Sequence, residues 1–385
     1  QEYPYGNSES YVENELRILS EECSKIIILP LHCKGTPRAV PCKNISVVCL
    51  FNEAIKPGWK LLIRNFLMFV SILLSEFLSS GNKKKIITKI NLLKSILLQQ
   101  LYRAEVLEKY IQQEQSEQKL FYSFWTDEWA TVLSIIKKRK KIRGFISRVH
   151  GYDLYKERWK DGMIPFRYFQ LKYVDRIFAV SKDGLNYMQH HYPAYKQKIE
   201  LSHLNVFDEG TNPWVESEAF TLVSCSNVIQ LKRVDLIAEA LRYINFKLHW
   251  IHFGDGDLKP ELLKNVALLP ENISVSFKGN VPNSTIITFY KQHCVHLFIH
   301  TSETEGGVPL VLQEAASFGI PLLAANTGGV PEIVCSNTGI LVNKSSTPEE
   351  LAKRITGFKY GSMNTQEFRA TVKSHWRQHF DAKMN

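Results

Sequence analysis

Two glutamates around a pair of glycines carry the clearest chemistry in this sequence. Residues 302–334 read SETEGGVPLVLQEAASFGIPLLAANTGGVPEIV. The pattern is a strand end, a turn at Gly306 and Gly307, a short helix opened by Pro309, an apolar strand and a second glycine turn. Proline suits a first helical position because its fixed φ is helical and its missing N–H has no intrahelical partner. Gly319 ends the helix where a left-handed residue is wanted. A helix opening behind two glycines leaves the N–H groups of Leu310 and Val311 unpaired and offers a positive dipole end, which is an anion site. Glu305 precedes the glycines and Glu314 lies in the second turn of the helix. Carboxylates only accept hydrogen bonds, so beside a phosphate they must answer hydroxyl or N–H donors. Phosphate-binding amides next to diol-binding carboxylates suit a nucleotide sugar. The competing reading is an ordinary strand-to-helix turn with both acids solvated, since short glycine motifs recur by chance.

Positioning such a site takes a parallel sheet, and the chain supplies the pattern for two. At 385 residues it is too long for one ordinary core. Short apolar runs of strand length fall at 26–30, 45–51, 120–125, 145–149, 176–181 and 199–206, then at 221–225, 247–253, 273–277, 296–300, 320–325 and 339–342. Helical patterns separate them, as in doubly wound α/β folds. The expected domains are 1–207 and 219–365, joined by a turn-rich linker at 208–218 and followed by a terminal helix from 366 to 385. Residues 61–78 form one long apolar helix with a narrow polar stripe at Arg64, Ser71 and Ser75. It reads either as a packed helix or as one that dips into a bilayer surface.

A net charge of +10 favours an anionic partner. Seven cysteines without a C-x-x-C pair suggest neither a disulfide framework nor a zinc site, and they fit a reducing cytosol. The basic run 137–143 holds six cations in seven residues, more than helix capping needs, which makes it a candidate contact with an anionic membrane surface. No nucleic-acid-binding signature surrounds it.

Two further turns stand at strand ends, where parallel sheets bind ligands. The strand 145–149 runs into His150-Gly151-Tyr152-Asp153. A lone histidine is usually structural, but this one precedes a glycine and has a carboxylate three residues on. Asp153 either orients the imidazole or meets acceptor hydroxyls. The strand 247–253 ends in Gly254-Asp255-Gly256, another turn aimed at the ligand side.

Glu305, Gly306, Pro309, Leu310, Glu314, Ala315, Gly319, Pro321 and the run GGVPEIV resemble the signature of the family 4 glycosyltransferases, which have the GT-B fold. The resemblance spans most of the chain. It implies two Rossmann-like doubly wound domains facing each other across a cleft, a first strand ahead of the numbered chain, and a terminal helix crossing back to the first domain. SRVHGYDLY is similar to the family's first-domain motif, whose histidine faces the donor sugar, and Gly6 would lie near the donor phosphate. In the family an arginine and a lysine hold the diphosphate; Lys232 matches the lysine, while Asn227 stands at the arginine position and Arg233 is a substitute cation. Residues 306–313 also put one residue more than usual between the two acids, so Glu303 competes with Glu305 for the first role.

The resemblance thus implies a retaining transfer of a hexose from a nucleoside diphosphate sugar, UDP or GDP in particular, to a hydroxyl of a glycan or lipid-linked glycan for a surface polysaccharide. The diphosphate would be held without a metal, and neither a cofactor nor a nucleic-acid partner is expected; the basic and apolar features of the first domain suggest a cytoplasmic protein peripheral on the inner membrane face. His150 and Glu305 would contact the sugar, and Glu314 the ribose. A nucleotide-sugar epimerase of the same architecture and a non-catalytic nucleotide-sugar-binding scaffold are the alternatives.

Overall fold

Alternation of apolar strand and amphipathic helix produces parallel pairing throughout. A computed structural model describes the chain except residues 1, 7, 8, 10, 52–57, 80–82, 115–118, 160–161, 216–218 and 385. The sequence offers Ser8 or Ser10 as the cap of a helix near the start of the chain; both lie outside the described residues, and the helix Val12–Glu22 has no side-chain cap. The chain divides into two units, Gln1–Ser202 and His203–Asn385.

In the first unit β1 (Ile26–Ile28) pairs with β2 (Ile45–Val47). A separate sheet runs in the order β3 (Tyr122–Ser123), β4 (Ile146–Val149), β5 (Arg176–Ala179), β6 (Ile199–Leu201). All these pairs are parallel. Helix Ile90–Gln113 packs on helix Glu128–Lys138, and Leu93, Leu97, Leu101, Val132, Ile135 and Ile136 join Val149, Ile177 and Ala179 of the larger sheet in one apolar cluster.

Two expectations for this unit need correction. Cys33 and Cys49 form a disulfide, so the odd cysteine count concealed one pair. The apolar run 61–78 is not one helix: it is Trp59–Arg64 and then Phe66–Ser79, separated at Asn65. Asn65 is buried, its amide donates to Leu61 O at 2.9 Å, and it accepts from Arg139. A buried amide with local partners competes with helix continuation.

The second unit holds β7 (Phe220–Cys225), β8 (Leu248–Phe253), β9 (Ile273–Gly279), β10 (Leu297–His300), β11 (Leu322–Ala325) and β12 (Gly339–Val342). Their order in the sheet is β9-β8-β7-β10-β11-β12, all parallel. Winding goes outward one way from β7 and the other way from β10. The reversal between those neighbours is the point where such sheets bind ligands, beyond the strands' carboxyl ends. Period-two alternation fills both faces: Leu222, Trp250, Leu297, Ile299 and Leu323 enter one cluster, and Val223, Ile251, Phe298, Leu322 and Ala324 the other.

The expected linker is part of this second unit. Val206 bridges to Asp381, and buried Asn212 donates to His293 O at 2.8 Å and accepts from Val295 N at 3.0 Å. The terminal helix Gln366–Phe380 buries Val372, Trp376 and Phe380 in the second unit's core. Arg369 donates from it to Val295 O at 2.7 Å.

Candidate functional site

Glu305 meets a lysine from another loop. After β7 the chain makes a single 3-10 turn, Gln230–Lys232, and Arg233 takes a left-handed conformation with φ +49° before helix Val234–Leu241 begins. The Thr301 hydroxyl donates to the carbonyls of Lys232 and Arg233 at 3.0 and 2.9 Å, and Glu303 N donates to Leu231 O at 2.9 Å. The loops that follow β7 and β10 are thereby tied together at the sheet's winding reversal. There Lys232 Nζ lies 2.5 Å from Glu305 Oε1, and His300 Nε2 lies 2.9 Å from the same oxygen. Burial alone would raise the Glu305 carboxyl, but the His300 hydrogen bond and the Lys232 charge outweigh it and hold the pKa far below the usual range. Glu303 is exposed, and its main chain makes the contacts. Of the two candidate acids, Glu305 is the one whose side chain meets Lys232 and His300.

The second glycine turn packs beneath the first. A Cβ on Gly328, whose φ is +50°, would come within 2.0 Å of Glu305 O. A Cβ on Gly329 would stand 2.5 Å from Gly307 C and 2.7 Å from Val308 N. At Gly328 only glycine permits such an approach in a left-handed conformation, while Gly329, with φ −79°, is required for space alone. Gly254 plays the same part on the other side: φ is +135°, and a Cβ would reach 1.9 Å from Ser226 O in the loop after β7.

Helix Leu310–Ser317 starts at Pro309 with no side chain capping it, so the amides of Leu310 and Val311 are not taken by a cap. Gln313 is buried and braces the turn, donating to Leu204 O at 2.8 Å and Val308 O at 3.2 Å. Glu314 is partly buried and accepts from Asn283 Nδ2 at 2.8 Å. Burial raises its carboxyl to about 7, against the lowering effect of Asn283. Cys225, at the end of β7, feels both Glu314 and Lys232, and burial followed by the Glu314 charge lifts its thiol to about 12. Anion-binding amides, a cation and two carboxylates of opposite proton affinity thus converge where β7 and β10 end.

The other cation candidates lie differently. Asn227 is exposed, with its carbonyl accepting from Ile229 N at 3.1 Å. Arg233 donates to Lys344 O and not to either glutamate. Sequence reasoning passed over His300 and Asn283. His300 was visible by the rule applied to His150, a histidine ending a parallel strand; Asn283, on helix Asn283–Gln292, had no signal of its own.

In the first unit His150 follows β4 and is buried, with neither ring nitrogen hydrogen-bonded. Its ring lies 4.9 Å from Phe124, 4.3 Å from Trp125 and 6.3 Å from Tyr11, centroid to centroid. Burial, with the Arg148 charge next, keeps the imidazole well below its ordinary pKa and therefore neutral. Asp153 does not orient that ring. It is buried and accepts the main-chain N–H of His150 and of Thr126, each at 2.7 Å. Burial raises its carboxyl even so, with Arg167 and those N–H groups opposing. Gly6, φ +68°, belongs to the loop tied to this aromatic group: Glu9 accepts from Tyr3 N at 2.8 Å and from Trp125 Nε1 at 2.9 Å. Among the described residues no cluster of histidine, cysteine and acidic side chains is arranged to hold a metal.

Residues 212–371 match the family model for glycosyl transferases group 1. The matched span lies within the second unit. One subunit of the human phosphatidylinositol N-acetylglucosaminyltransferase is 27% identical over 161 residues, which are 40% of this chain and 33% of the human protein. The amylovoran biosynthesis glycosyltransferase AmsK of Erwinia amylovora is 20% identical over 48% of each chain. The chain spans about a third of the length of the first of these relatives and about half of the second. Among solved structures, the apo form of the lipopolysaccharide outer core galactosyltransferase WaaB superposes with TM-score 0.63 at 14% identity over 99% of this chain and 94% of its own. Anabaena HepE in complex with UDP and glucose gives TM-score 0.62 at 15% identity over 94% and 96%. These likenesses give the fold, GT-B, with a Rossmann-like arrangement in each half. The span that matches the family model, 212–371, includes Lys232, Glu305 and Glu314.

Proposed function

We propose that the chain is a retaining glycosyltransferase of family 4 that moves a hexose from a nucleoside diphosphate sugar to a hydroxyl of a glycan or lipid-linked glycan, in surface polysaccharide synthesis. The observation that carries this reading is the Lys232–Glu305 pair at the winding reversal, 2.5 Å apart, beside an uncapped helix start. In the reaction the bond between the anomeric carbon and the diphosphate breaks, and negative charge gathers on the leaving oxygen. Donors fixed in advance at that oxygen stabilise the transition state more than the ground state. Lys232 and the amides of Leu310 and Val311 are such donors. Ionised Glu314 takes the ribose diol. Glu305, kept ionised by His300 and Lys232, accepts from the sugar hydroxyls. His150, neutral and with both ring nitrogens unpartnered, offers a donor and an acceptor to a hydroxylated ligand. UDP is the first nucleotide to try, since HepE holds it on the same fold, and GDP the second.

Thermal-shift screening against UDP-, GDP-, ADP- and CMP-sugars, then product analysis with and without acceptors, tests the reading. Stabilisation by one donor and a new glycosidic product of unchanged anomeric configuration support it. An epimerised sugar nucleotide formed from donor alone would replace it with an epimerase. Donor binding without turnover on a broad acceptor panel would replace it with a binding scaffold.

A further inference from the structure

The first unit leaves a row of large apolar side chains in water. On helix Phe66–Ser79, Leu67, Val70, Leu74 and Leu78 follow at steps of three and four residues and so share one face. All four are exposed, Leu67 by 84%. Trp59 and Ile63, one turn apart on helix Trp59–Arg64, are exposed as well, Trp59 by 69%. The opposite face carries Phe69 and Ile72 into the core. A helix apolar on both faces is buried on both, and among the described residues only one of these faces is covered.

Charge around the row is one-sided. Residues 58–99 contain seven lysines and arginines and a single acid, Glu76. Glu76 is buried, and burial raises its carboxyl to about 8, so it places no charge on the surface. Lys60, Lys83, Lys84 and Lys94 are exposed. Lys60 Nζ stands 5.9 Å from the Trp59 ring, an aromatic–cation pairing suited to the level of lipid headgroups. The run 137–143, the sequence-based candidate for this contact, is partly engaged within the unit: Lys137 pairs with Asp175, Lys138 donates to Ser71, and Arg139 pairs with Glu108 at 3.0 Å.

Fourteen residues of helix reach about 21 Å, short of the hydrocarbon thickness of a bilayer. No helix among the described residues is long and apolar enough to cross a membrane. A short helix, apolar outward and flanked by cations without acids, matches a segment lying in the plane of an anionic membrane surface.

We propose that the outer face of helices Trp59–Arg64 and Phe66–Ser79 docks the protein on an anionic lipid bilayer, with Leu67, Val70, Leu74 and Leu78 entering the acyl boundary and the surrounding lysines meeting lipid phosphates. The inference deepens the glycosyltransferase reading by making a membrane-held, lipid-linked acceptor accessible. It is measured without donor or acceptor, so its failure leaves the reading of the sugar site intact.

The experiment is sedimentation of the full chain with vesicles of phosphatidylcholine alone or with about 30% phosphatidylglycerol. The expected result is binding to the anionic vesicles at least about tenfold tighter than to the neutral ones, weakening with salt. The double variant Leu67→Ser/Leu74→Ser should lose about tenfold or more of that affinity while circular dichroism and melting stay native. Lys83→Gln/Lys84→Gln should lose the preference for anionic lipid. Wild-type protein remaining in the supernatant overturns the proposal, as does wild-type affinity in the leucine variant. A wild-type dimer that the leucine variant converts to monomer, seen by light scattering, also overturns it and assigns the face to a second copy.

Discussion

Lys232 Nζ and Glu305 Oε1 lie 2.5 Å apart, one residue from the loop after β7 and the other from the loop after β10. The sheet reverses its winding between those two strands, so the pair bridges the place where the fold collects ligands. His300 approaches the same oxygen from the end of β10. A diphosphate arriving at the helix start would share Lys232 with Glu305, and the sugar hydroxyls would share Glu305 with Lys232.

In the proposed reaction, Lys232→Ala removes a charge that would stabilise the leaving phosphate. Turnover should fall about a hundredfold, the scale of losing one preorganised donor, while circular dichroism stays native. Steady-state kinetics with the donor found by screening measures this. An unchanged rate would remove Lys232 from the reaction.

Glu314 has a folded pKa of about 7 against an ordinary value of 4.5. Its carboxyl is raised, so folding favours the protonated form, and its destabilising effect grows as pH rises from about 4.5 through about 7. Glu314→Gln should therefore melt higher than wild type at pH 8 and match it near pH 4. Donor affinity should move oppositely, because only the carboxylate accepts both ribose hydroxyls. Affinity should rise between about pH 6 and about pH 8, and the glutamine variant should lose that rise. Calorimetric titration across this range supplies both curves.

Glu305 is perturbed the other way. Its folded pKa is depressed, so its contribution to stability is present above the ordinary value of 4.5 and is lost as pH falls below it. Thermal melting of wild type and Glu305→Gln should differ at pH 7 and converge at strongly acid pH. A constant difference across the titration would mean that the pair with Lys232 and His300 does not hold the carboxylate ionised.

Gly328→Ala places a Cβ 2.0 Å from the Glu305 carbonyl at a left-handed φ. The turn beneath the first glycines must shift and carry Glu305 with it. We expect a lower melting temperature and a donor affinity reduced by about tenfold, since displacements near 1 Å at a site have costs of that order or more. Gly357→Ala, where an added Cβ meets nothing within 4 Å, is the matched control and should leave affinity unchanged.

Much of the fold was legible because buried parallel strands advertise themselves. Each of the twelve short apolar runs became a strand, several of them two to four residues shorter than the run, and the run 339–342 became β12 with the same bounds. Helix Gln366–Phe380 also fell where its periodicity put it. Contacts with no periodic trace were missed. Asn65 breaks the apolar helix through its own amide, and periodicity does not register one buried polar residue. Cys33 and Cys49 are sixteen residues apart with no spacing signature, so their pairing was not foreseeable. At the candidate site, the glycine turns and the helix start between Glu305 and Glu314 were readable because turn chemistry restricts residue type. His300 could have been read as a histidine ending a parallel strand, but its contact with Glu305, like that of Asn283 with Glu314, is set by the folded neighbourhood. Asp153 shows the reverse case: a carboxylate near a histidine suggested either an orienting partner or a contact for acceptor hydroxyls, and in the fold it accepts the N–H groups of His150 and Thr126.

The central claim is that the cluster at the ends of β7 and β10 grips a nucleoside diphosphate sugar, and direct calorimetric titration of UDP- and GDP-sugars into wild type, Lys232→Ala and Glu314→Ala tests it most simply. The account predicts one saturable site in the wild type and an affinity at least about tenfold weaker in each natively folded variant. Equal affinity in all three proteins would contradict it.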